Sequence, residues 1–334
     1  MKRVGLVLGA GGVVGQAYHS GVLAALEHDL GWDPRTAEVI VGTSAGSITG
    51  TLLRNGVPAS ELAAWSVRAP LSAEGALLER LFGTEHPRFD PFDVSQLLRR
   101  RPSLPGPHMV RRAVTRPWHF RPVAAAMSLL APGTVDIRDQ LTALRTVEDQ
   151  EWPQDPLWIC SVRRRDGRRA VFGRPGTPEV PLHLAVASSC AVPGYFAPVQ
   201  IGDQLFVDGG AHSPTNAATL RPCGLDVVII VSPMSGPSAG PTRDLYEASR
   251  WHAGRLVRRE AAALRASGTD VVVFRPGPEE QEAMGADFMS SETVIDVVQQ
   301  SFLGAGAHAA KAHVREQLAG MNRPKRRRTS TVAM

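Results

Sequence analysis

The strongest constraint on this chain is a pattern that occurs twice near its start. A short, wholly apolar run leads into a glycine-rich turn, and a helical periodicity follows. Residues 3–27 read RVGLVLGAGGVVGQAYHSGVLAALE, and residues 37–56 read AEVIVGTSAGSITGTLLRNG. A run such as Val4–Leu8 has no polar face to leave in water, so it needs cover on both sides. Two such strands, each feeding a helix, predict a parallel sheet with helices on both faces. The first helix is expected from about Gly15 to Asp29. The second ends at Asn55-Gly56, a good helix stop.

The rest of the chain repeats this alternation. Apolar strands are expected at 157–165, 169–174, 204–210, 226–233 and 270–277. Shorter amphipathic helices are expected in ASELAAWSVRA and SAEGALLERLF, and long ones at 243–266 and 292–318. The predicted fold is a three-layer α/β/α arrangement around a mainly parallel central sheet, in a single domain over residues 1–320. Residues 84–134 break the pattern with Pro, Arg and aromatic residues (HPRFDPFD, TRPWHFRP) and read as a cap-like insertion. Residues 321–334 form a basic tail without apolar periodicity, expected to be disordered.

Composition narrows the class. With 334 residues and 43% hydrophobic content, the chain can bury a substantial core. The best candidate for a membrane span, PVAAAMSLLAP, is too short and is bounded by prolines. Met1-Lys2-Arg3 leads straight into VGLVLG, which reads as a core strand rather than a signal peptide; a cytoplasmic location is the expectation. Cys160, Cys190 and Cys223 are odd in number and widely spaced, suggesting neither a disulfide framework nor a zinc site. They read as small buried hydrophobes, and no metal or cofactor is called for. The net charge of +5 is carried almost wholly by arginine. No zinc-finger or RNP-type motif supports a nucleic-acid partner.

The turn GAGGVVG at Gly9–Gly15 has two readings. As a dinucleotide cradle it needs an acidic residue at the end of the second strand, to hold the ribose. The sequence there is VIVGTSAG, with no carboxylate. What stands there is Gly42-Thr43-Ser44-Ala45-Gly46, a G-x-S-x-G between strand and helix. That is the context of a nucleophile elbow: Ser44 on a tight turn, with small neighbours at Gly42 and Gly46. A serine nucleophile needs an anion hole and a base. The backbone amides of Gly11, Gly12 and Val13, in the first turn, can form the hole. Ten histidines are scattered, and His212 is the one that follows a late strand. The stronger base candidate is Asp208 in LFVDGGAHSPTNA, ending a strand and followed by Gly209 and Gly210. Both Ser44 and Asp208 are expected at turns exposed on the sheet's edge, and for Asp208 to serve as a base it needs to lie close to Ser44 and be partly desolvated, which would raise its pKa.

Taken together, GAGGVVG, GTSAG and DGG resemble the patatin-like phospholipase family, in that family's order. The stretch AVASSCAVPGYFAPVQIGDQLFVDGG resembles the family's approach to its aspartate strand, and the resemblance covers about residues 3–235. It implies a patatin-like fold and a Ser44–Asp208 dyad with an oxyanion hole at Gly11, Gly12 and Val13. Gly9, Gly15, Gly42, Gly46, Gly209 and Gly210 would support the motifs. It also implies an acyl lipid substrate and transient contact with a membrane surface. One position departs: the family's glycine turn usually carries Arg or Lys before its last glycine, and here it is Val14. Anion binding would then rest on backbone amides alone. Open alternatives are a carboxylesterase or thioesterase on other acyl groups, a non-catalytic lipid-binding homologue, and a nucleotide-binding dehydrogenase.

Overall fold

The computed structural model describes residues 2–87, 89, 101–115, 121–140, 152–236 and 245–321. The tail from 322 onward and parts of the 84–134 segment lie outside these residues. An eight-stranded sheet forms the centre: β1 (Val4–Leu8), β2 (Val39–Thr43), β3 (Leu157–Arg163), β4 (Arg168–Phe172), β5 (Val199–Ile201), β6 (Gln204–Asp208), β7 (Val227–Val231) and β8 (Asp270–Phe274). The spatial order is β5-β6-β3-β2-β1-β7-β8, with β4 also paired to β3. The run β3-β2-β1-β7-β8 is parallel; β4, β5 and β6 join antiparallel. The fold is the three-layer, mainly parallel α/β/α arrangement expected.

Strand alternation explains why the apolar runs are continuous. Leu6, Leu8, Ile40, Ile159 and Ile229 enter one core, while Val7, Val41, Cys160, Val228 and Ile230 enter a second core on the opposite face. The larger core is covered by α1 (Gly12–Leu30), α2 (Ala45–Arg54), α3 (Ala59–Ser66) and α4 (Ala76–Phe82). Near the end of the chain, α9 (Pro278–Met284), α10 (Val294–Ala309) and α11 (Ala312–Leu318) complete that layer. The smaller core lies under α8 (Leu245–Arg265), through Val257, Ala261 and Leu264. Three more helices bear on the site: α5 (Pro107–Thr115), α6 (Pro122–Leu129) and α7 (Leu182–Cys190).

Several expected boundaries move. The first helix begins at Gly12, three residues early, because glycines enter a helix start without hindrance. The strand expected at 204–210 stops at Asp208, and Gly209–Ala211 form a 3-10 turn. The single helix expected at 292–318 is two, because Lys311 takes an extended conformation between α10 and α11. Short β5 and α9 carried no signal that the sequence reading picked up. Cys160 and Cys190 are buried, and Cys223 is partly exposed. Among the described residues, no helix is long and apolar enough to cross a membrane.

Candidate active site

The geometry of the site starts from the register of β3. Cys160 of β3 partners Thr43 of β2, and the next residue, Ser161, partners Asp208 of β6. β4 pairs along 159–163 and so occupies the other edge of β3. β2 and β6 therefore share one edge and abut end to end. Ser44, just past β2, and Asp208, the last residue of β6, are thrown together by that junction.

Ser44 sits at φ 54° and ψ −124°, a conformation that non-glycine residues rarely adopt. It costs on the order of 1–3 kcal/mol, so the surroundings must hold it. They do so from several directions. The Ser44 N–H donates to Ser189 Oγ at 2.9 Å, and the Ser189 hydroxyl donates to the Cys160 carbonyl at 2.6 Å. The Ser47 hydroxyl donates to the Ser44 carbonyl at 2.6 Å. Gly42, in β2, lies against the backbone of Gly46 and Ser47. Gly46 is required: a Cβ there would stand 2.0 Å from the Leu8 carbonyl oxygen. The start of α2, with its positive dipole end, follows directly.

The Gly210 N–H donates to Asp208 Oδ1 at 2.6 Å, and the Ser44 side chain stands close enough to the carboxyl to favour its charged form. Burial is the larger influence and pushes the Asp208 pKa up to about 7, against the Ser44 side chain and the Gly210 N–H, which pull it down. The Asp208 N–H is fixed to the Ala191 carbonyl at the end of α7. Gly209 lies against the Cys160 carbonyl, and Gly210 lies against Ala10 of the glycine turn.

The glycine turn is tied down at its ends and open in its middle. Gly9 N–H donates to the Val231 carbonyl at 2.9 Å, Ala10 N–H to Pro214 at 2.8 Å, and Val14 N–H to Phe288 at 3.2 Å. Gly15 continues α1, its N–H on the Gly11 carbonyl. Among the described residues, no acceptor in the chain takes the N–H groups of Gly11, Gly12 or Val13. Gly12 has φ +62°, and a Cβ on it would meet the Phe288 carbonyl at 2.4 Å. The Val14 side chain faces the larger core and is buried. At this position, a basic side chain in the same orientation would be buried too.

The exposure expected of the two turns at the sheet's edge is corrected for both side chains, and the burial of Asp208 goes beyond the partial desolvation that a base there requires. Ser44 is 5% and Asp208 4% exposed. The glycine turn packs on one side of them, α7 supports them from below, and α6 rests against the 209–211 turn. Four supporting residues had no recognised signal. Ser189 holds the elbow, and the carbonyls of Pro214 and Phe288 anchor the glycine turn. Asn216, at φ 52°, donates to Thr43 Oγ1 at 3.2 Å and to the Ser213 carbonyl at 2.9 Å, tying elbow to aspartate turn. Behind it, buried Glu260 of α8 accepts from Thr215 Oγ1 and the Ala217 N–H. His212 lies with Nδ1 3.3 Å from Asn216 Oδ1. Burial, followed by the positive charges of Arg169, Arg121 and Arg112, lowers its pKa to about 3.

A family profile described as patatin-like phospholipase matches residues 6–221. Uncharacterized NTE family proteins of Mycobacterium tuberculosis and Mycobacterium bovis are 33% identical over 97 residues, 28% of this chain and 26% of theirs. The chain thus matches about a quarter of the length of these curated relatives. Among solved structures, similarity extends to the type III effector protein ExoU, at 17% identity and a TM-score of 0.37. It covers 95% of this chain and 53% of that one. VipD from Legionella pneumophila gives 13% identity and a TM-score of 0.41, over 92% and 67% of the two chains. Those superpositions are too loose to pair residues. The profile match is different in kind: it spans more than half of the chain and takes in the glycine turn, the Ser44 elbow and the Asp208 turn. The protein belongs to the patatin-like phospholipase family.

Proposed function

We propose that the protein hydrolyses carboxylic esters of acyl lipids through a Ser44 acyl-enzyme, with Asp208 as the base. The observation that carries the reading is the junction of β2 and β6 on β3, which sets Ser44 beside a buried Asp208 whose pKa burial pushes up to about 7. An ordinary aspartate, at about 3.9, is a weak base at neutral pH, and burial brings this one into the useful range. His212 has no such standing: its contact is with Asn216, and a pKa of about 3 makes it a poor base.

In the proposed reaction the Asp208 carboxylate takes the proton from Ser44 Oγ as that oxygen attacks the ester carbonyl carbon. The carbonyl oxygen becomes an oxyanion, and the free N–H groups of Gly11, Gly12 and Val13 are the donors assigned to it. Each donor of this kind is worth about 3 kcal/mol of barrier. Collapse breaks the bond to the alcohol, which leaves with the proton from Asp208. A water molecule then attacks the acyl-enzyme, giving its proton to Asp208, and the acid leaves as Ser44 regains a proton. No metal or cofactor enters. Residues 1–320 would act as one catalytic domain, with 84–134 as its cap.

The test combines a fluorophosphonate label with a series of esters of increasing chain length. Labelling of the wild type and not of Ser44→Ala supports the nucleophile. Asp208→Asn should lower kcat/KM by about 10⁴-fold, the scale on which loss of a triad member acts. Near wild-type hydrolysis by that variant would reject Asp208 as the base. Because the carboxylate is the active form, kcat/KM should rise with pH through about 7 and level off above it. A preference for short or thioester substrates would move the reading to a general esterase or thioesterase.

A further inference from the structure

Large exposed apolar side chains recur in two adjoining segments of the chain, 101–115 and 121–135. Leu104 is 89% exposed, Val114 75%, Val110 50% and Val123 49%. Scattered singly, such residues are ordinary; four within two adjoining segments are not. Val110 and Val114 are four residues apart on α5 and so share a helix face, while Met109 is buried. The same segments are one-sided in charge. Residues 101–115 and 121–135 contain Arg101, Arg111, Arg112 and Arg121 and no Asp or Glu.

This region is built into the domain next to the site. The Ser103 N–H donates to the Leu129 carbonyl at 2.7 Å, joining the approach to α5 with the end of α6. Arg164 binds Ser103 Oγ at 2.6 Å and the Ser128 carbonyl at 3.1 Å. α6 rests on the 209–211 turn that directly follows Asp208. The positive charges of Arg112, Arg121 and Arg169 all reach His212 in that neighbourhood. Arginines therefore stand both on the exposed helices and near the turn that follows Asp208.

We propose that the face formed by Leu104, α5 and the start of α6 docks on an anionic lipid bilayer. Charge complementarity selects the occupant. Guanidinium groups meet lipid phosphates in the headgroup layer, while Leu104, Val110, Val114 and Val123 enter the apolar layer beneath. A nucleic acid would satisfy the arginines and leave those four side chains without a partner. Docking in this orientation puts the Asp208 side of the site against the lipid. The biological purpose rests on the hydrolase reading given above; the docking does not.

The experiment uses full-length Ser44→Ala protein, so binding is read without turnover. It is sedimented with vesicles of phosphatidylcholine, alone or with about one-third phosphatidylglycerol, at low and high salt. The expected result is binding to the anionic vesicles that weakens with salt. Arg111→Ala with Arg121→Ala should weaken it roughly 30-fold, about 5-fold per arginine. Val110→Ser with Val114→Ser should weaken it roughly 10-fold. These side chains are exposed, and unchanged circular dichroism and Tm would show that the variants remain folded. Equal binding to neutral and anionic vesicles overturns the proposal. So does equal binding by wild type and either variant, or equally tight binding to a DNA duplex. Hydrolysis of a soluble short-chain ester by the wild type is measured separately. Its absence would sink the hydrolase reading and leave the docking result standing.

Discussion

The turns that follow β1 and β2 are neighbours and look alike: apolar strand, glycines, helix. They are held in opposite ways. The turn after β2 is fixed by close packing at the turn itself, with Gly46 on the Leu8 carbonyl and Ser44 pinned by Ser189. The turn after β1 is fixed from afar, by carbonyls of Pro214, Val231 and Phe288, so that its central N–H groups remain without acceptors. The first design forces one side chain into a rare conformation. The second keeps backbone donors free. A nucleophile needs the former, and a site for negative charge needs the latter.

Substitutions can separate the two designs. Gly46→Ala should have the largest effect, because its Cβ would fall on backbone that cannot give way. A loss on the order of 5 kcal/mol is expected, read by denaturant unfolding. A fully folded Gly46→Ala protein would break the picture of a sterically set elbow.

Asp208, where the two turns meet, should show itself through pH. Its folded pKa near 7 lies above the unfolded value of about 3.9. Between those values the folded state holds a proton that the unfolded state has lost. Wild-type stability should therefore fall as pH rises from about 4 to 7, by on the order of 4 kcal/mol. Asp208→Asn removes this term, so its Tm should exceed that of the wild type at pH 8 and converge with it near pH 4. Parallel Tm curves for the two proteins would deny the burial effect.

Smaller changes are expected at the anchors. Gly12→Ala, strained at φ +62° and crowded by Phe288, should cost about 2 kcal/mol and lower kcat roughly 30-fold, mainly by moving the free donors. Ser189→Ala leaves the Ser44 N–H unpaired and should cost about 1–2 kcal/mol, read from Tm, with a matching fall in kcat. If Ser189→Ala hurt more than Gly46→Ala, the elbow would be held by hydrogen bonding and not by packing.

The sequence made the parallel sheet legible, because a strand buried on both faces must be apolar throughout, as in VGLVL and VIVGT. It made Gly42, Ser44 and Gly46 legible, because an elbow is a local structure whose demands fall within five residues. Asp208 was legible only beside the other motifs. Ser189, Asn216, Pro214 and Phe288 were not, because each acts on a residue far away in the chain, and three of them through a side chain or carbonyl type that is common everywhere. The near-complete burial of Ser44 and Asp208 was not legible for the same reason: the glycine turn, α6 and α7 close around them, and their placement is a tertiary fact. The significance of Val14 also changes. Its side chain belongs to the core, and its N–H is spent on Phe288.

The abutment of β2 and β6 on β3 has a consequence for how the chemistry tolerates change. The spacing of nucleophile and base is gauged by one step along β3, about 3.3 Å, and not by the length of any loop. Stretches of the β2–β3 and β3–β6 connections that do not touch the site, unlike Gly46 and Ser189, can lengthen or diverge without detuning it. A one-residue slip of β6 against β3 would instead turn the carboxyl to the opposite face of the sheet. Variation in such a protein is therefore freest in connecting stretches that touch neither turn, and most restricted in the β2–β3 and β3–β6 ladders.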